Sequence, residues 1–545
     1  MPLAWYKYIN PADRGRDDAA EVSMSGAKTA PAVRAHRTSL LAGLSALFSG
    51  LLMQYCPTTG SASDAIYVGK NLTKDGGVLL AGFGDEPSSH WLSIVPHRQH
   101  PTGATIKVGG TPASNPAGEF GADKALPGEL IEIPQAGETF RYISMDYSYF
   151  AGLPAPLTNG GMNEYGLGVR DVALFSRREL VNMTPTPQHG LNYSDIARIA
   201  LERAHTAREA VDIAVGLIER YGYFTYGGNS HVFADANEGW VLLEFAGGKG
   251  LWVAHRLGPN DVWLNWRGYN KFGYVQTLPA DWRKNPDYLA SKNFVSFAVE
   301  QGWYKPDGGT PFNVIDVYAR QDQYSAATAE EARRVEAAVR SAAPKVDVQL
   351  LMQLLHGAGR DSSGYGEVAD LHANVNPALR TLWVAPGPPV TAAFVPWRLA
   401  VESVPPEYQR HRYLTAGEAE RQNIDAAQQG LESTRYADRA VKRLLYLADE
   451  HRDVFLPEVA AALAAFEARE LAGDAGVDRT ARVLIDAHED ALARHYLTEQ
   501  AHAAAADGLR LIEALADSIE ARTKVLYGIR MPGDPAPPPA GKVGD

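Results

Sequence analysis

From Ser63 to about Arg267, short apolar runs alternate with turn residues, the two-residue period of strands. Ala65–Val68, a turn from Asn71 to Gly77 closing on Asp75-Gly76-Gly77, and Val78–Ala81 predict a hairpin. Gly166–Val172 alternates like a further strand. The period then changes to that of helices. Ser194–Arg203 opens with Ser194 as an expected N-cap, and Thr206-Ala-Arg-Glu209 reads as a capping box before a helix to about Tyr221. Strands return at His231–Ala234, Gly239–Phe245 and Leu251–Arg256, with a turn at Asp235–Glu238. Strand pairs, helices and strand pairs again predict helices packed on antiparallel sheets. Helices are expected at Ala329–Ala342 and Asp347–His356, with breaks at Pro386–Pro389 and Pro405-Pro406. From Glu418 to Val525, Ala, Leu, Glu and Arg recur at helical spacing. This predicts a run of helices appended to the main body, with Gly473–Gly476 separating two of them. The Pro-rich tail from Pro532 is expected to be disordered.

Composition narrows the classes of function. The chain has 545 residues, enough to bury a large core without disulfides or metal. Its net charge of −12 argues against a general phosphate-backbone binder. The single cysteine, Cys56, excludes an internal disulfide and a thiolate metal cluster. The uncharged stretch Ser39–Met53 is too short for an ordinary membrane span. It suits the apolar region of a signal peptide, with Lys28, Arg34 and Arg37 before it and small residues Gly60-Ser61-Ala62 after it. Cleavage is expected before Ser63. The other readings of this stretch are a buried helix or a retained anchor, and Met24 is an alternative start to Met1. Removal of the leader implies an exported protein, in the periplasm, in the cell envelope or secreted, with no membrane span in the mature chain; without a signal the protein would be cytoplasmic.

Several familiar motifs are missing. His488-Glu489 has no second histidine at the zinc-protease spacing, and no Gly-x-Ser-x-Gly elbow, Walker loop or dinucleotide fingerprint occurs. His97-x-x-His100 lies near prolines and reads as two solvent-facing side chains rather than a metal site.

Ser63-Asp-Ala-Ile-Tyr-Val-Gly-Lys-Asn71 followed by Asp75-Gly-Gly77 resembles the start of the mature dipeptidase A family, whose members are N-terminal-nucleophile cysteine peptidases. Gly161-Met-Asn-Glu-Tyr-Gly166, Ala207-Arg-Glu-Ala210, Ala234-Asp-Ala-Asn-Glu-Gly-Trp-Val-Leu-Leu-Glu244, Trp383 and Phe394-Val-Pro396 continue the resemblance in order. It implies an α+β fold, the four-layer αββα Ntn-hydrolase sandwich, with a helical C-terminal extension. The expected organisation is a leader at 1–62, an Ntn-hydrolase domain at 63–410, a helical region at 411–530 and a tail at 531–545. The implied activity is hydrolysis of a small amide, most simply a dipeptide bond, with no cofactor or metal. The expected partner is a small peptide or amide substrate, not a nucleic acid. In such enzymes the first residue attacks the amide carbon and its own α-amine accepts the proton.

The sequence departs from the family in two places. Counting back from Val68-Gly69-Lys70, the catalytic cysteine falls on Ser63, and Cys56 lies seven residues too early. Ser63 is therefore the first candidate nucleophile, with Cys56 the alternative. The family's arginine after the second strand falls on Gly82, leaving Arg170 or Arg267 as possible substitutes, while Asp85 matches an acidic position expected to hold the α-ammonium. Asn163 and Asn229 are candidate oxyanion or substrate donors, and each is also readable as a turn residue. The candidate catalytic set is Ser63, Asp85, Asn163 and Asn229. Two other readings stay open: an amidase or acyltransferase on a non-peptide amide, and an inactive binding protein of the same fold.

Overall fold

The computed structural model describes residues 63–528 apart from 85–89, 111–127, 148–152, 154–155, 267–274, 308–309, 321–325, 359–363 and 411–434. The expected leader, the proline-rich tail, Cys56, Asp85 and Arg267 lie outside the described residues.

Two antiparallel sheets carry the architecture. Their strands, in chain order, are β1 (Asp64–Val68), β2 (Val78–Gly84), β3 (His90–Val95), β4 (Tyr142–Tyr147), β5 (Leu157–Asn163), β6 (Gly168–Ala173) and β7 (Gly228–Ala234). Then come β8 (Gly239–Phe245), β9 (Trp252–Leu257), β10 (Val262–Asn265), β11 (Tyr288–Ala290), β12 (Tyr365–Leu371), β13 (Thr381–Ala385) and β14 (Val395–Arg398). One sheet has six strands in the order β10-β1-β2-β12-β13-β14, the other eight in the order β11-β9-β8-β7-β6-β5-β4-β3. The predicted β1–β2 hairpin is present, with Ala65 opposite Gly82 and Tyr67 opposite Leu80.

The sheets face each other. An added Cβ at Gly168 in β6 would meet Leu80, Ala369 and Leu371, and one at Gly239 in β8 would meet Tyr67. These glycines let the sheets approach closely. The apolar half of the interlayer is thus set by Tyr67, Leu80 and Ala369, which share a row across β1, β2 and β12.

Helices cover both outer faces. Helix α1 (Tyr193–Arg203) and helix α2 (Ala207–Tyr221) lie on the eight-stranded sheet. There Ile196, Ala200, Val211 and Ile218 share a core with Val169, Phe233, Trp240 and Leu242. The N-cap of α1 is Asn192, not Ser194: Asn192 and Asp195 form a reciprocal capping box. Ser194 instead accepts a hydrogen bond from the Thr158 amide. Thr206 caps α2 as expected, accepting from the Glu209 amide. Helices α3 (Ala326–Ala342) and α4 (Val348–Ala358) accompany the six-stranded sheet, whose core includes Val339, Leu351 and Leu355. The order helix, sheet, sheet, helix is the four-layer sandwich expected from the sequence.

Three further helices follow: α5 (Ala437–Asp449), α6 (Arg452–Asp486) and α7 (Asp490–Tyr527). They share the core of the six-stranded sheet through Val441, Leu463, Ala505 and Ile512. Buried Glu467 on α6 accepts from the Phe394 amide and pairs with His356 on α4 at 2.9 Å. Gly473 and Gly476 do not separate helices, because α6 runs through both. Two helical glycines cost roughly 1 kcal/mol each. That cost is offset where Asp474 and Asp478, on the same turns, hold the buried guanidinium of Arg398 on β14. The break comes instead at His488, whose φ is 61°.

Candidate active site

Ser63 directly precedes β1 and is buried. Strand alternation puts it on the same face as Ala65 and Tyr67, toward the other sheet. At this end the interlayer turns polar. Asn159 on β5 donates through Nδ2 to Ser63 Oγ at 3.2 Å. Asn265 on β10, opposite Ala65, donates to Ser230 on β7 at 2.8 Å. Arg170 on β6 crosses to β12, where its Nη1 donates to Glu367 at 2.6 Å and to the Tyr365 hydroxyl at 3.3 Å. Glu367 also accepts from the Met145 amide.

Arg170 and Glu367 are both almost wholly buried. Burial opposes the arginine's charge, but Tyr365 and Glu367 outweigh it and hold the guanidinium firmly protonated. Burial pushes the Glu367 carboxyl up, and Arg170 pulls it back. A 2.6 Å contact to a group that stays charged makes this an ion pair.

The site is built on glycines. Gly82 on β2 stands opposite both Ala65 and Glu367. An added Cβ there would lie 2.1 Å from the Asp64 carbonyl oxygen and 3.1 Å from Arg170 Nε. No side chain therefore fits at 82, and the guanidinium reaching over from β6 lies against that space. Gly160, opposite Arg170 on β5, has φ of 140° and its own Cβ position blocked by Val169 backbone.

The two candidate asparagines lie elsewhere. Asn163 donates to the carbonyls of Leu201 and Ala204 and accepts from the amides of Tyr165 and Leu167. Both its donors and its oxygen are committed to the turn after β5 and the end of α1. Asn229 has the opposite orientation from Ser230 and faces the helical layer. It donates to Asp171 and to the Tyr226 hydroxyl, and accepts from Tyr223. It belongs to a buried cluster in which His231 bonds Glu244 at 2.6 Å and the Tyr193 carbonyl at 3.0 Å. Burial works against the His231 charge, but Glu244 prevails and raises it to about 9. Glu164, like Glu244, makes structural contacts, here to His97 and the Arg141 amide. His97 and His100 take different partners, Glu164 and Glu138 for the first and Thr139 for the second.

Sequence reasoning passed over Asn159, Glu367, Ser230 and Asn265. Glu367 carried a signal, a charged residue among the strand-forming Tyr365, Val368 and Leu371, whereas Asn159 sits in a strand that also holds Thr158 and Asn163 and did not stand out. A group that offers metal-ligating atoms, Asp75, Asp370 and His372, sits at the other end of β1 and β2. Hydrogen bonds to Asp370 and Asp75 raise His372 to about 10.

Among solved structures, a mutant of the conjugated bile acid hydrolase from Clostridium perfringens matches 63% of this chain and 93% of its own. The identity is 12% and the TM-score 0.33, a level at which the likeness carries no argument. Among family models, that of peptidase family C69 matches residues 137–353, a span that holds Asn159, Arg170 and Asn265. Over residues 137–353 the chain is thus similar to the C69 peptidases, the dipeptidase A family, and that match supports a hydrolase of amide bonds.

Proposed function

We propose that this chain is an exported dipeptidase whose nucleophile is Ser63, freed by removal of the segment before it. The observation that carries the reading is the Ser63–Asn159 hydrogen bond at the polar end of the interlayer. Once residue 63 is the first, Ser63 Oγ attacks the amide carbon while its α-amine takes the proton. An ordinary α-amine titrates near ~8, so the neutral base is available around neutral pH. Asn159 orients the hydroxyl before attack. The leaving amine departs with the proton, and water resolves the acyl-enzyme by the same route in reverse. The uncharged stretch Ser39–Met53 and the small residues Gly60-Ser61-Ala62 support removal of the leader during export. Among the described residues no helix is long and apolar enough to cross a membrane.

The test is the N-terminal sequence of the mature protein together with mass-spectrometric mapping of a sulfonyl fluoride adduct. A chain that begins at Ser63 and is modified there supports the proposal. A chain that begins at Cys56, or an intact leader with no adduct on residue 63, sinks it.

A further inference from the structure

Arg170 has capacity it does not use inside the fold. Its Nη1 is committed to Glu367 and Tyr365. Among the described residues its Nε and Nη2 have no hydrogen-bond partner, although the side chain is only 2% exposed. Leaving buried donors unmade costs roughly 1–3 kcal/mol each, more for charged groups. Such a group in a native fold calls for an acceptor supplied from outside. Neighbouring Asp171 faces the other way and pairs with Asn229.

The place of the free edge is equally specific. Its Nε lies against Gly82, which the Asp64 carbonyl leaves no room to carry a side chain. Asp64 follows Ser63 in the chain, and Gly160, opposite Arg170, follows Asn159. With no side chain at Gly82 or Gly160, the guanidinium edge lies against bare backbone of the strands that pair with β1 and carry Asn159, the two groups that bracket Ser63.

We infer that Arg170 is a catalytic residue of this site, whose Nε–H and Nη2–H receive the acyl oxygen of the bound amide as it becomes the tetrahedral oxyanion. This rests on Ser63 being the nucleophile. In the step, the Ser63 Oγ–carbon bond forms and the carbonyl π pair moves onto oxygen. The proton of Oγ goes to the α-amine. The new negative charge on oxygen and positive charge on nitrogen balance, and the Arg170–Glu367 pair stays neutral as a unit. Collapse restores the carbonyl, breaks the carbon–nitrogen bond and returns the proton to the leaving amine. Glu367 is a positioning residue: it turns the guanidinium so that its other edge is presented. Fixed donors aimed at developing charge need no rearrangement during the step.

The experiment follows the rate at which phenylmethylsulfonyl fluoride modifies Ser63 in the processed protein. The variants are Arg170→Lys and the paired Arg170→Met/Glu367→Met, which removes both charges so that neither is stranded. The paired variant is expected to fold, checked by its thermal midpoint. It is expected to lose roughly a hundredfold in modification rate, the size seen when an oxyanion donor is removed. Arg170→Lys is expected to recover part of that loss, and the pH at which the rate is half-maximal is expected not to move. Modification of a folded paired variant at the wild-type rate overturns the inference. A slower rate with a displaced pH profile also overturns it, since Arg170 would then act on the amine. If the paired variant does not fold, Arg170→Lys decides, and a rate equal to wild type overturns it. A wild type that is processed yet unmodified at Ser63 refutes the nucleophile itself, an outcome distinct from the others.

Discussion

The two faces of the eight-stranded sheet each carry a buried polar cluster, and they differ in what is left unpaired: one carboxylate oxygen of Glu244 on the helix side, two N–H donors of the Arg170 cation on the inner side. On the helix side, Asp171, Asn229, His231 and Glu244 bond to one another and to Tyr193, Tyr223 and Tyr226. On the inner side, Arg170 keeps two nitrogens unused, and Asn265 Oδ1 has no partner among the described residues. Both clusters are built from the same strands, β6 and β7, one residue apart. The helix-side cluster fastens α1 to the sheet, and the inner one stands beside Ser63. Buried polarity alone does not mark a candidate site; a buried cation with two donors left over beside Ser63 is the more specific feature.

Four substitutions or conditions would break or sharpen this contrast. The largest expected effect is Ser63→Ala, which should abolish dipeptide hydrolysis and sulfonyl fluoride labelling, a loss on the order of 10⁶-fold in kcat by analogy with other nucleophile removals. Its thermal midpoint should stay close to wild type, and retained labelling at residue 63 is chemically excluded, so residual turnover would locate the nucleophile elsewhere. On the helix side, Glu244→Ala should leave the His231 imidazolium without its main partner and cost roughly 3–5 kcal/mol of stability. Thermal or urea unfolding reads this, and an unchanged midpoint would remove the structural reading of the cluster. Asn163→Ala strips four hydrogen bonds from the turn after β5 and should destabilise by roughly 2–3 kcal/mol. Activity per folded molecule should hold; a selective loss of kcat would return Asn163 to the substrate site.

The fourth is the pH dependence of stability. His231 titrates at about 9 in the folded protein against an ordinary 6.5. A raised value stabilises the fold fully below pH 6.5 and is lost as pH rises through about 9. His372, raised to about 10, acts in the same direction at the surface. The thermal midpoint should therefore fall between pH 7 and 10. A fall that survives in His372→Asn belongs to the helix-side cluster, and one that vanishes does not.

Much of the scaffold was legible in the chain. The β1–β2 hairpin, helix α2 with its Thr206 cap, and strand β8 appear where two-residue and helical periods predict them, because each is set by local patterning. Position 194 shows the limit of that reading: Asn192, Ser194 and Asp195 all have capping side chains, and only the packed fold sends Ser194 to β5. Gly473 and Gly476 show another, since a helix that pairs with a distant strand overrides local propensity.

The candidate site divides along the same line. Sequence register alone put residue 63 at the entrance of the first core strand and denied a side chain to position 82 as the matched arginine. It could not choose among asparagines, because Asn159, Asn163 and Asn229 all lie in or beside strands and glycines. Tertiary structure separates them, joining Asn159 to Ser63 and committing the other two to backbone and to the helix side. It also settled which neighbour in Arg170-Asp171 and Asn229-Ser230 faces the interlayer. In a strand one residue reverses the face, and only the opposing sheet says which face is the inside.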